Sequence, residues 1–171
     1  MQEPMLRLNG VNENLQIRIE TALRGADVPQ KVELAVLTIF PEFPVPTHHE
    51  NPQLGQAIDT VWTGQNVSLA TFLKLLHEQR ILDTALDAMT ASFEGSKTEF
   101  SLLRQAAIVG KVAFPLPGER PLGGLIHVVL EGQNLGDWLE AATWHKGRDT
   151  VPRSIQDDNT MGADGEAVTW I

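Results

Sequence analysis

A chain of 171 residues, 42% apolar and 20% charged, is long enough to bury a core and lacks the composition of a disordered or membrane protein. Twenty-two acidic against thirteen basic side chains leave a net charge of −9, which with no basic run disfavours nucleic acid and anionic lipid as partners. The absence of cysteine removes thiolate chemistry and points to a cytoplasmic or other reducing compartment; a virion component would suit the same charge and composition.

Residues 14–23 alternate between an apolar and a polar side. Leu15, Ile17, Ile19 and Thr21 share one face, and Gln16, Arg18 and Glu20 the other. Period two predicts a half-buried strand, against a competing helix suggested by good helix formers. After a turn at Arg24–Pro29, residues 31–40 are rich in β-branched side chains and read as the second arm of an antiparallel hairpin. Four prolines between 41 and 52 then predict an extended loop, carrying His48, His49 and Glu50.

Residues 53–63 are expected to form a short helix with Leu54, Ile58, Val61 and Trp62 on one side. Ser68 is a candidate cap for the next helical stretch, 68–93. Its apolar stripes, Leu69-Phe72-Leu73-Leu76 and Leu82-Ala85-Leu86-Met89-Phe93, fall out of phase around His77 to Arg80. Either one helix curves there or two meet, and Gly95 ends the run. Residues 98–116 and 122–131 read as extended, the second apolar enough for a central strand covered on both faces. Gly123-Gly124 marks a tight spot or bulge. Residues 134–145 suit a short amphipathic helix capped by Asn134, with Leu135, Trp138, Leu139 and Ala142 inward.

From Gly147 the chain becomes polar and rich in Gly and Asp, then ends on Ala167-Val168-Thr169-Trp170-Ile171. The expected organisation is an α+β domain over 1–146 and a C-terminal arm over 147–171. An antiparallel sheet takes strands from both halves, and the helices of about 53–93 pack on one face.

No intact catalytic motif is present. His77-Glu78 begins a metalloprotease-like string, but Ile81 stands where the second histidine belongs. Gly95-Ser96-Lys97-Thr98 lacks the glycines that let a backbone wrap phosphate. His127 interrupts a buried-looking strand and reads as a hydrogen-bonded core histidine. A metal site would need His48 or His49 together with His127 or His145, and one sequence gives no sign of that convergence. No cofactor is implied.

The tryptophans separate into two groups. Trp62 and Trp138 fit core faces, whereas Trp144 and Trp170 lie at a helix end and beyond a polar tether. The reading that results is a non-catalytic interaction or assembly subunit. Val168, Trp170 and Ile171, with Trp144, would dock on a protein partner or a second copy. The alternative is a small metal-dependent enzyme or small-molecule binder using the histidines.

Overall fold

The computed structural model describes residues 8–47 and 55–155. They form an α+β fold in which one four-stranded antiparallel sheet, order β2-β1-β4-β3, carries helices on a single face. β1 is Gln16–Gly25, β2 Ile58–Gln65, β3 Lys97–Leu103 and β4 Leu125–Glu131. The helices are α1 (Pro29–Ile39), α2 (Ala70–Glu78), α3 (Leu82–Thr90), the single turn α4 (Arg104–Ala107) and α5 (Leu135–Ala142), followed by a 3-10 turn at Lys146–Asp149. No helix among the described residues is long and apolar enough to cross a membrane.

The alternation of β1 has the expected outcome. Ile17, Ile19, Thr21 and Leu23 are buried, while Gln16, Arg18, Glu20 and Ala22 lie on the other side. Beyond β1 the expected hairpin is replaced by a β–α unit. Residues 29–39 bury Val32, Ala35, Val36 and Ile39, a spacing of three and four that only a helix turns to one side, and leave Leu34 55% exposed. Pro29 sits in the first turn, where its missing N–H costs nothing. Pattern outweighs β-branched propensity here.

The reverse correction applies to 53–63. Ile58–Gln65 is a strand that turns Trp62 and Gly64 to the core and Val61, Thr63 and Gln65 to solvent. A helix would have gathered Ile58, Val61 and Trp62 on one side. In the strand Val61 and Trp62 point opposite ways. The helices on the sheet are therefore α1, α2, α3 and α5, and the helical part of 53–93 begins at Ala70.

The out-of-phase stripes mark two helices meeting at Gln79–Ile81. Residues 98–116 are extended only as far as Leu103, after which α4 interrupts. β4 is central, as its apolar run suggested, but covered on one face only: Leu125 and His127 are half-exposed. At the helix starts, Ser68 Oγ accepts from the Ala70 N–H (3.2 Å), and Asn134 takes the cap position of α5 without a side-chain cap bond.

Phe40, Phe72 and Phe100 run through the middle of the core, with ring centroids 5.8 and 5.9 Å apart along the series. Trp62 and Trp138 are both core residues, and the Trp138 indole N–H donates to Glu13 Oε1 at 2.8 Å.

Candidate functional site

The sheet leaves one face and one edge uncovered among the described residues. Hydrogen-bond phase fixes which groups point outward. The Asn66 N–H bonds the Ile17 carbonyl (2.9 Å), and Ile17 lies opposite residue 66 by the β1–β2 register. Even-numbered residues of β2 thus bond inward to β1, and Asp59, Val61, Thr63 and Gln65 turn their main-chain groups outward. Val61 is also 50% exposed.

The opposite edge is managed differently. On β3 the outward Glu99 N–H donates to Ser92 Oγ (3.1 Å), whose hydroxyl donates to the Glu99 carbonyl (2.6 Å). The Leu103 N–H reaches the Ala113 carbonyl at 2.9 Å, and Lys97 pairs with Glu94. β3 is an edge closed by its own chain, while β2 ends the sheet.

The open face is polar. Ser101, His127 and Glu20 lie in one cross-strand row, and Glu99, Val129 and Arg18 in the next. His127 Nε2 stands 3.3 Å from Glu99 Oε2, and its Nδ1 3.0 Å from Ser101 Oγ. Lys97 pairs with the other Glu99 oxygen at 3.3 Å, and Arg18 with Glu20 at 2.6 Å. The hydrogen bond from Lys97 and the neighbouring His127 hold the Glu99 carboxyl below the usual glutamate range, against a desolvation that would raise it. His127 is hydrogen-bonded, as expected, but on the outer face rather than in the core. A hydroxyl–imidazole–carboxylate row on a flat sheet face has no enclosure to exclude water or seat a substrate, so it is read as cross-strand surface pairing.

A second cluster lies where the α2–α3 turn meets the end of α5. His77, Arg80, Asp83, Thr84 and His145 line a cleft of about 460 Å³. Asp83 Oδ1 accepts from His145 Nε2 and from the buried Arg148 Nε, both at 3.0 Å. The remaining Arg148 donors go to the Glu140 carbonyl (2.9 Å) and Thr143 Oγ1 (3.0 Å). Burial pushes the Asp83 carboxyl up, but the hydrogen bonds and charges of His145 and Arg148 outweigh it, and it titrates below the ordinary 3.8. A depressed carboxylate stabilises the fold above its unfolded value and loses that contribution as pH falls through the folded one. Asp83→Asn is therefore expected to flatten the loss of stability below about pH 3.8, read from urea midpoints across an acid pH series.

The turn itself is distinctive. The Arg80 N–H bonds the His77 carbonyl (3.1 Å) and the Ile81 N–H the Leu76 carbonyl (3.1 Å), closing α2 in a Schellman motif. Arg80 occupies the left-handed position with φ +58°, where glycine is the usual residue; the other non-glycine residues of positive φ among the described residues are asparagines. An arginine there costs roughly 1 kcal/mol.

The residues singled out by sequence fall in separate places. His127 lies on the open face and His145 is bonded to α3 on the helical side, so the two do not converge on one ion. No group of three or more His, Asp or Glu able to hold a metal occurs among the described residues. His48 and His49 lie outside those residues, as do Val168, Trp170 and Ile171. Trp144 is half-buried and lines a cleft of about 340 Å³ with Arg148, Pro152 and Arg153. Packing continues past residue 146: Arg148 is buried, Arg153 pairs with Asp87, and the Ile155 N–H reaches Glu140 Oε1 at 3.3 Å. The Arg80–Asp83–His145 cluster was not anticipated, its members being spread over two distant stretches of chain.

The fold superposes on solved structures. A crystal structure of a UPF0201 protein from Methanococcus jannaschii superposes with a TM-score of 0.61 at 25% identity, covering 77% of this chain and 96% of that one. A second UPF0201 crystal structure gives 0.60 at 27%, covering 77% and 95%. In sequence, the chain is 28% identical over 120 residues to a UPF0201 protein of Methanocaldococcus jannaschii, 70% of this chain and 66% of that protein. It is 37% identical over 79 residues to a UPF0201 protein of Metallosphaera sedula, 44% of this chain and 55% of that protein. The chain thus spans a little under two thirds of the first relative and about half of the second. No family model matches. The names of these relatives state no activity, substrate or partner.

Proposed function

We propose that the protein is an interaction and assembly module in which the C-terminal residues 167–171 of one copy add as a strand to β2 of a second copy. The observation that carries this reading is the contrast between the two sheet edges: β3 is closed by Ser92, Glu94 and Ala113, and β2 ends the sheet with Val61 half-exposed. An exposed, β-branched edge is a template for strand addition.

The chain carries a matching segment. Val168 and Trp170 fall on one side of an extended strand, Thr169 and Ile171 on the other. In an added strand one of these pairs lies beside Val61 and Thr63. Residues 156–166 separate the last described position from the segment, and a fully extended chain of that length spans roughly 36–40 Å, enough for a neighbour. Trp144 belongs to the root of the run rather than its tip. Burying side chains of this size contributes roughly 1.5–3 kcal/mol each before the cost of ordering the segment.

Light scattering tests this. The full chain is expected to be a defined oligomer, and a chain ending at Glu166 a monomer. Val61→Pro removes one outward N–H without touching a bond to β1 and is expected to give the same monomer. Val61→Lys is the milder second block should the proline variant melt early. A full chain that is monomeric, or edge and tail variants that keep its mass, would overturn the proposal.

A further inference from the structure

The cleft at the α2–α3 turn has features that neither the sheet edge nor the packing of the core explains. Arg80 makes no ion pair or hydrogen bond through its side chain among the described residues, although acidic residues outnumber basic ones in the chain. Arg104, by contrast, pairs with Asp27, Arg148 with Asp83 and Lys74 with Glu78. Within the cleft the charge of Asp83 is already answered by Arg148, so Arg80 leaves the site net positive. It does so from a backbone position that disfavours any residue but glycine.

The histidine opposite is also held ready. His145 gives its Nε2–H to Asp83, which fixes the tautomer and leaves Nδ1, with no partner among the described residues, as an acceptor for a protonated ligand oxygen such as the P–OH of a monoprotonated phosphate. Gly147 lies against that side of the ring, and a Cβ there would stand 2.9 Å from both Nδ1 and Cε1. A larger residue would press on the imidazole.

The geometry points to a binding site for a small molecule bearing a compact oxyanion, a phosphate or a carboxylate, with Arg80 as its cationic anchor and the Asp83–His145 pair beside it. The guanidinium fork suits either group. A cleft of about 460 Å³ admits a metabolite-sized ligand and not a folded partner. The site is separate from β2, so it stands whether or not the chain assembles through that edge.

The test uses the full chain, titrated with inorganic phosphate and, separately, with citrate at constant ionic strength, followed by the NMR signals of the His77 and His145 rings and the 79–84 amides. Saturable shifts at these positions with at least one anion are expected. A response to phosphate alone identifies a phosphate group as the recognised chemistry, a response to citrate alone a carboxylate, and a response to both a general oxyanion site. Arg80→Gly separates binding from folding. Relieving the left-handed residue is expected to raise the melting temperature by about 2–5 °C while weakening anion binding about tenfold. Arg80→Lys, which keeps the charge, is expected to retain part of the affinity. Absence of saturable shifts with both anions, shifts confined to other surfaces, or undiminished binding by Arg80→Gly would overturn the inference.

Discussion

Arg104→Ala is expected to lower the unfolding free energy by about 3–5 kcal/mol, measured by urea denaturation at neutral pH. Its side chain is 5% exposed and ties the loop at Gly123 to β1 and to Asp27 in the segment before α1. Nε donates to the Gly123 carbonyl (2.9 Å), Nη1 to Thr21 Oγ1 (2.9 Å) and the Ala22 carbonyl (2.7 Å), and Nη2 to Asp27 Oδ2 (2.9 Å). Removing the guanidinium leaves the Ala22 and Gly123 carbonyls without its donors and strips the Asp27 carboxylate, which keeps only the Arg24 N–H (2.9 Å) among the described residues, of its cation, and that desolvation penalty dominates the effect. Arg104→Lys keeps one charge but cannot reach all four acceptors, and is expected to recover less than half of the loss. Gly124 belongs to the same device. With φ +80° it packs so closely on the guanidinium that any Cβ would overlap it.

Arg148→Ala is expected to cost about 2–3 kcal/mol by the same assay. The estimate is lower because Asp83, its acid, is 41% exposed and can recover water. A chain ending at Lys146 is expected to lose more than the point variant. It also gives up the Arg153–Asp87 pair and the Ile155 contacts with Gly136 and Glu140. Equal stability of the full chain and the truncation would show that residues 147–155 do not hold α3 to α5.

The parts of the fold that were legible in the sequence are those whose pattern is set by one layer of burial. β1 alternates because one face meets the helices and the other meets water. The α2–α3 break was legible as a phase slip, since each helix must present its own stripe to the same core. Segments 31–40 and 53–63 were misassigned for opposite reasons: in 31–40 β-branched propensity was weighed above spacing, and in 53–63 a helical spacing of Leu54, Ile58, Val61 and Trp62 was weighed above β-branched propensity. In α1 the intervals between Val32, Ala35, Val36 and Ile39 carry the answer; in β2 the opposition of Val61 to Trp62 does. The cleft was illegible because its chemistry depends on convergence. Arg80 and Asp83 sit at one end of α3, His145 and Arg148 after α5, and no local spacing announces that they meet. Gly123-Gly124 was legible as a tight spot, but not the arginine that occupies it.

The order of the sheet has a consequence for how the chain reaches its native state. β1 is central, yet its neighbours are β2, tens of residues later, and β4, whose Glu131 pairs with Gln16. No two strands that are adjacent in the sheet are joined by a tight turn. Folding must close long loops before any strand pair is rewarded, which places the chain among slow folders, with relaxation in milliseconds to seconds. During synthesis one edge of β1 waits for β2 and the other, far longer, for β4, and the apolar face of Ile17, Ile19 and Leu23 is not fully covered in that interval. Arg18, Glu20 and Arg24 keep the other side of the same strand charged and hydrated in that interval.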